Sequence, residues 1–324
     1  MSRTFARARQ MEEKAGTAER LPCVFRSSSW GTTHARTHGP ADGRAMSSTG
    51  LFNAIAVRDE AAALAVLGKG VTKEFLEAAD QHGHTTLNYA CATGFSEPAV
   101  LKLIDAGADV TKANLRGTTP LMHALFHPYS DTVYEALVRA GADVNYQNPA
   151  GCTAMHVACM SRSSVDRIKL LVKLGANINI ADKNGHTPLI TAVRTSMDYT
   201  VVDYIASVSA DVNAKADNDP KHAEWTALHF AASLHNPGLC ATLIKRGADI
   251  EAVNWAGNTP LLLCDEKSKT AMNSAQFHRD NNAPGGKVVR KPGKAPAKSR
   301  PSMYSHRTPG GGARITTINK KKVF

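Results

Sequence analysis

The side chains in this 324-residue sequence that could do chemistry are its histidines, cysteines and acids. His156-x-x-Cys159 sets two metal-capable groups on one helical face, but zinc takes three or four ligands. Cys91 has no histidine three residues before it, so the pair is not a recurring ligand set. As general bases, His156 and His229 would each need a nucleophile or a paired carboxylate at comparable spacing, and none accompanies both. The six cysteines, at 23, 91, 152, 159, 240 and 264, form no CxxC pair, which argues against a zinc ribbon or a disulfide framework. No GxxxxGK[ST], HExxH or GxSxG stretch occurs, so phosphate cradles, zinc-protease helices and nucleophile elbows are absent. The sequence predicts no catalytic residue, no metal, no cofactor, no small-molecule substrate and no enzyme.

What remains is recognition, and charge is the first guide to it. The chain has 39 Lys+Arg against 28 Asp+Glu, a net +11, with 43% hydrophobic residues. Residues 1–48 carry +4, residues 49–264 carry −4 and residues 265–324 carry +11. The part with enough apolar residues to fold is therefore mildly acidic. The ends are basic and poor in large aliphatics, so burial cannot offset their ordering entropy. The longest apolar run, Ala61 to Leu67, falls far short of the ~20 residues a spanning helix needs. A mitochondrial presequence is disfavoured by Glu12, Glu13 and Glu19, and Met46 is a candidate natural start.

The folded middle is built from a repeat. Asp182-Lys-Asn-Gly185-His-Thr187-Pro188-Leu189 recurs as Gly117-Thr-Thr119-Pro120-Leu121, as Gly151-Cys-Thr153-Ala-Met155-His156, and as Gly257-Asn-Thr259-Pro260-Leu261. Glu224-Trp-Thr226-Ala-Leu228-His229 fits with its glycine replaced. About twenty residues later comes a second mark: Gly107-Ala-Asp-Val, Gly141-Ala-Asp-Val-Asn, Gly175-Ala-Asn-Ile-Asn and Gly247-Ala-Asp-Ile. Threonine caps a helix start, proline suits its first turn, and glycine ends the next helix in a left-handed turn. Apolar residues seven, four and three positions before each glycine, such as Val100, Leu103 and Ile104, form the buried stripe of that second helix.

These marks resemble the ankyrin-repeat family over residues 49 to about 265. The resemblance implies an all-α solenoid of helix-turn-helix modules with hairpin loops: about six modules over 49–265 plus a C-terminal half module. Disordered extensions flank it, at 1–48 and as a flexible basic tail over 266–324. The anchoring threonines 49, 85, 119, 153, 187, 226 and 259 are spaced 36, 34, 34, 34, 39 and 33 residues apart. Tetratricopeptide modules share the 34 but lack the Thr-Pro-Leu and Gly-Ala-Asp marks. Modules two to five carry one more residue in the interhelix turn than modules one and six, and turns tolerate insertion. About five extra residues in 216–223 lengthen one hairpin finger. Ser209 replaces the turn glycine of module five, which should weaken that helix end. Module seven reads Asp265-Glu-Lys-Ser-Lys after its first helix, with no second apolar stripe, so the end stays open unless Met272 and Phe277 fold over it.

The resemblance further implies a protein partner held by the hairpin tips and first helices along a concave groove. By repeat position the tips present Asn114, Leu115 and Arg116, then Tyr146, Gln147 and Asn148, then Asp182, Lys183 and Asn184. Beyond these come 217–221, then Asn254 and Trp255. Aromatics and cations anchor interfaces, which selects Arg116, Tyr146, Lys183, Lys221 and Trp255 as protein-binding candidates. In the tail, Arg290, Lys291, Lys294, Lys298, Arg300, Lys320, Lys321 and Lys322 suit acidic surfaces without sequence readout. An acidic polymer, either tubulin tails or nucleic acid, is the expected partner there. Ser302 and Thr308 are candidate phosphate acceptors that would lower the charge. The reading is a cytoplasmic adaptor or scaffold, with a cytoskeletal or axonemal component and a nuclear chromatin- or RNA-associated factor as alternatives.

Overall fold

A computed structural model describes residues 48–282 except Ala210, all of them in one compact unit. Among the described residues there are fifteen helices and no strand, apart from isolated bridges Ala79–Thr85 and Ala216–Trp225. Seven helix pairs stack in chain order. They are α1 (Ser48–Ala56) with α2 (Glu60–Leu67), α4 (Thr86–Thr93) with α5 (Glu97–Asp105), α6 (Pro120–Ala124) with α7 (Asp131–Arg139), and α8 (Ala154–Met160) with α9 (Val165–Lys173). Then follow α10 (Pro188–Arg194) with α11 (Tyr199–Val208), α12 (Ala227–Ser233) with α13 (Pro237–Lys245), and α14 (Pro260–Leu263) with α15 (Glu266–Asn282). The short α3 (Lys73–Glu77) lies in the first connection and accounts for the spacing of 36.

The helices form where the motif says they should. Thr85, Thr119 and Thr187 sit in extended conformation and accept the N–H groups of Asn88, Met122 and Ile190. Such a cap is worth about 1 kcal/mol. Val100, Leu103 and Ile104, and likewise Ile168 and Leu171, are buried between neighbouring modules. The turn glycines Gly107, Gly141, Gly175 and Gly247 adopt φ of 84, 106, 94 and 99°, which a Cβ would disfavour. Ser209 solves the same problem differently. It ends α11 extended, and its hydroxyl and N–H both donate to the Ile205 carbonyl at 2.8 and 2.9 Å.

The interhelix turns hold more than the sequence disclosed. Nine residues after the anchoring threonine, Arg58, Gly94, Arg162, Ser196 and His235 all have φ between 49 and 62°. In modules one and six the next residue already caps the second helix. In modules two to five one residue intervenes, namely Phe95, Tyr129, Ser163 and Met197, and each is buried. The Tyr129 hydroxyl donates to the Phe95 carbonyl one module back at 2.9 Å. The extra residue is thus a packing element and not a tolerated insertion.

The C-terminal boundary needs correction. Residues 266–282, expected to belong to the flexible tail, form α15, the second helix of module seven. Its stripe is Ser268, Met272, Ala275 and Arg279, set against α13. The Arg279 guanidinium donates to the Ile244 and Ala248 carbonyls at 3.3 and 2.9 Å. Small side chains let the helices approach closely, so the stripe lacks the aliphatics by which a buried face is recognised. Met272 is buried as the capping idea required, whereas Phe277 is 65% exposed.

Candidate protein-binding surface

Five of the hairpins are set by one residue five places before the anchoring threonine. Asp80, Asn114, Asn148, Asp182 and Asn254 each accept with Oδ1 from the N–H groups two and four residues on, at 2.8–3.0 Å. This side-chain turn imitates a backbone turn. It withdraws Asn114 and Asn254 into the interior, so these tip residues build the loop and present its neighbours.

Successive hairpins then lie on one another. The N–H groups of Leu115, Lys183, Asn218 and Trp255 donate to the carbonyls of His82, Ala150, Asn184 and Ala223, one module back, at 3.0, 3.0, 3.3 and 3.3 Å. Gly83, Gly117 and Gly151 leave room for Leu115, Pro149 and Lys183: a Cβ there would come within 2.9, 2.1 and 2.6 Å of them. The tips therefore form a continuous row whose side chains project from a hydrogen-bonded base. Along it Arg116, Lys183 and Lys221 are exposed, Leu115 is 78% exposed and Trp255 is 68% exposed. Tyr146 is half-buried and packs against the core, so it offers less surface than its tip position suggested. The tail candidates Arg290, Lys291, Lys294, Lys298, Arg300, Lys320, Lys321 and Lys322 lie outside the described residues.

The histidines belong to the frame. His156 Nδ1 accepts the Thr153 N–H at 3.2 Å, which leaves the proton on Nε2, 2.9 Å from the His186 carbonyl of the next module. His229 repeats this with Thr226 and the Asn258 carbonyl. Burial pushes His156 and His229 below the ordinary imidazole value and takes His123 down to about 3. A neutral ring is what a one-donor, one-acceptor clamp needs. Cys91, Cys159, Cys240 and Cys264 are free and buried, and burial raises the Cys91, Cys159 and Cys240 thiols to about 12. Thiols so protonated are poor nucleophiles and poor ligands. Among the described residues no cluster of three His, Cys, Asp or Glu is placed to hold a metal.

Sequence reasoning missed the polar knot that anchors the long finger of residues 216–223. Asp219 Oδ1 accepts the Lys221 and His222 N–H groups at 2.9 and 3.2 Å. Its Oδ2 lies 2.9 Å from His186 Nε2 and 3.1 Å from His222 Nδ1. Burial works to raise the Asp219 carboxyl, but the Lys221 N–H and the two imidazoles outweigh it and hold the value at about 2. The Arg194 guanidinium lies 3.0 Å from the His186 ring nitrogens and 5.2 Å from the Phe230 centroid. His222 and Trp225 meet edge to face at 4.6 Å, and Trp225 packs 5.0 Å from Phe230. The finger, which carries Lys221, is thereby fixed against the preceding tip, where the Asn218 N–H donates to the Asn184 carbonyl. The signal available in the sequence was an aspartate two places before a lysine inside the insertion, which reads as an ordinary turn.

Known proteins place this architecture. A model of tandem ankyrin repeats matches residues 54–148 and 121–216, and a single ankyrin-repeat model matches 224–255. Among solved structures, the chain resembles the ankyrin repeat domain of Bcl-3, described as a unique member of the IkappaB protein family. The TM-score is 0.57 and the identity 27%, over 72% of this chain and 98% of that one. The human ASB11 ankyrin repeat domain shares the fold, with a TM-score of 0.56 and 24% identity over 71% of this chain and 96% of that one. The RelA-associated inhibitor of mouse is 35% identical over 69 residues, 21% of this chain. That match spans 8% of the mouse protein.

Proposed function

The chain belongs to the ankyrin-repeat family, a generally non-enzymatic protein-interaction fold, and we propose that it acts as an adaptor or scaffold. In this reading a protein partner lies along the concave side. It meets Arg116, Lys183 and Lys221 on the hairpin row, Trp255 at its end, and the half-buried Tyr146 between them. The observation that carries the reading is the row itself: exposed cations and a large exposed aromatic standing on hairpins tied to the module before them by backbone hydrogen bonds. A base so ordered lowers the entropy cost of binding, and Trp and Arg are the side chains most often dominant at interfaces. The basic tail adds contacts to an acidic surface by counterion release.

Crosslinking mass spectrometry on the full chain, after proximity labelling in cells, tests this. Inter-protein crosslinks are expected at Lys183 and Lys221, and Trp255→Ala with Lys183→Ala should weaken capture about tenfold or more. Crosslinks confined to Lys102, Lys169 and Lys173 on the second helices would refute the groove. For the tail, pelleting with microtubules and with nucleic acid at rising salt, with and without residues 283–324, separates a cytoskeletal partner from a nuclear one. Unchanged pelleting after truncation refutes the tail's part.

A further inference from the structure

The groove side of the array changes character along its length. Seven places after the anchoring threonine, modules two to six carry Ala92, Phe126, Met160, Arg194 and Ser233. Arg194 shows which way this position faces, because its guanidinium lies 3.0 Å from the His186 ring nitrogens in its own hairpin and 5.2 Å from the Phe230 centroid. In modules three and four the position is apolar and reachable, with Phe126 40% exposed and Met160 half-buried. The tips of the same two modules add Leu115, 78% exposed, and the exposed Pro149. In module five the position becomes Arg194, and the tips of modules five and six set out the exposed Lys183 and Lys221. Acids on this side are mostly committed elsewhere. The Oδ1 atoms of Asp182 and Asp219 hold the hairpin N–H groups, and Glu224 pairs with Lys215 at 2.8 Å. Asp217 remains exposed. An apolar stretch of groove is thus followed by a cationic one, in a repeat region whose net charge over 49–264 is −4.

We infer, resting on the concave-groove reading above, that the partner enters as one extended stretch of polypeptide with two halves. Large apolar side chains lie over modules three and four, and carboxylates lie over modules five and six. Packed helices stand about 8–10 Å apart, so four modules span roughly 30–40 Å, the reach of about 9–12 extended residues. Carboxylates meeting Lys183 and Lys221 gain charge-assisted hydrogen bonds and steer the encounter. Burial of Leu115 and Phe126 then holds the complex, since apolar area removed from water slows release. Other chemistries match half of the groove at best. A basic stretch sets like charges against Lys183 and Lys221. A uniformly charged polymer such as nucleic acid leaves Phe126 and Leu115 without a counterpart. It also meets a repeat region of net −4, where phosphate binding draws on a dense field of cations.

Fluorescence anisotropy on the full chain is the test, with labelled peptides of about twelve residues that carry Leu and Phe in one half and Asp and Glu in the other, made in both orders. One order is expected to bind in the micromolar range. Its affinity should fall about tenfold or more in Lys183→Glu with Lys221→Glu, and severalfold in Leu115→Ser. Lys69→Glu with Lys102→Glu, the same change of charge away from the groove, should leave binding within about twofold. Zero-length carbodiimide crosslinking should join the peptide carboxylates to Lys183 and Lys221. The substituted tip side chains are exposed, so circular dichroism should be retained, and the lysine pair and Leu115→Ser each decide without the other. Failure of both orders to bind overturns the inference, as do equal affinities before and after the groove substitutions or crosslinks confined to tail lysines such as Lys291 and Lys294. An all-acidic peptide, or a single-stranded oligonucleotide of equal charge, that binds as tightly and is lost in the same lysine variant also overturns it, in favour of a plain polyanion. A cellular partner crosslinked at Lys183 and Lys221 through a stretch without acids removes this inference and leaves the groove standing. Crosslinks that avoid both lysines remove the groove first.

Discussion

The middle of the array and its last module are written in nearly the same residues, yet those residues meet different surroundings. Thr187-Pro-Leu-Ile190 and Thr259-Pro-Leu-Leu262 differ little in sequence, but Ile190 is buried and Leu262 is exposed. In a stack where each unit touches its neighbours alone, burial belongs to the position in the array and not to the side chain. The second helices invert the contrast. Interior ones bury aliphatics such as Leu137 and Leu171, while α15 buries Ser268, Met272 and Ala275. An end module is thus made by changing the helix that faces inward while leaving a motif residue uncovered.

The sharpest break of this comparison is a matched pair of truncations. Leu137→Ala should cost about 3 kcal/mol of unfolding free energy in urea denaturation, by lost transfer energy and a residual cavity. Leu262→Ala, at a side chain 69% exposed, should stay within about 0.5 kcal/mol. Equal effects would mean the end face is covered within the same chain. Next in size, Met272→Ala should cost about 2 kcal/mol. Hydrogen exchange should accelerate in α13 and α15 and not in α4–α6, because the loss is local. His156→Ala should cost about 1–2 kcal/mol by leaving the Thr153 N–H unpaired and taking one of two donors, the other being the Asp182 N–H, from the His186 carbonyl. His156→Asn should recover part of that, since Asn88 bridges to the Thr118 carbonyl from the same position in module two at 3.0 Å.

The smallest effect is in the finger's knot. The folded Asp219 carboxyl sits at about 2, below its ordinary 3.8, so its contribution to stability is present above 3.8 and lost as pH falls through about 2. Between pH 5 and 2, Asp219→Asn should flatten the fall in urea midpoint. A matching Asp203→Asn, which frees the exposed Arg246, should change that slope less, because an exposed pair is screened by solvent. Equal flattening would make the finger no more tightly held than the surface.

What could be read in the sequence was what depends on neighbours along the chain. Thr187-Pro188 and Gly175 specify a cap and a left-handed turn from their own chemistry, and the modules fell where those marks stood. Contacts between modules were harder to see. Asn114 and Asn254 looked like presented tip residues because a polar side chain in a turn reads as exposed, and the N–H groups they accept are visible in the folded hairpin alone. Tyr129 looked like an inserted turn residue because its burial depends on the module before it. The α15 stripe escaped because serine and alanine bury well against a close helix without being apolar enough to mark a period. Arg116, Lys183, Lys221 and Trp255 kept their expected exposure, while Tyr146 did not, since the core draws on whatever apolar area lies within reach.

The buried residue in the interhelix turns sets a limit on how such an array can be rearranged. Modules two to five share one gauge, with Phe95, Tyr129, Ser163 or Met197 filling the turn, and modules one and six share another without it. A duplication or deletion inside the block of four keeps like against like and leaves the stack in phase. The block meets a plugless neighbour at each edge, modules one and six, and Phe95 and Met197 are buried there all the same, so a module moved across an edge repeats that kind of junction at a new place. The two gauges act as a thread pitch: rejoining like with like keeps the stack in phase, and each edge of the block is a change of thread.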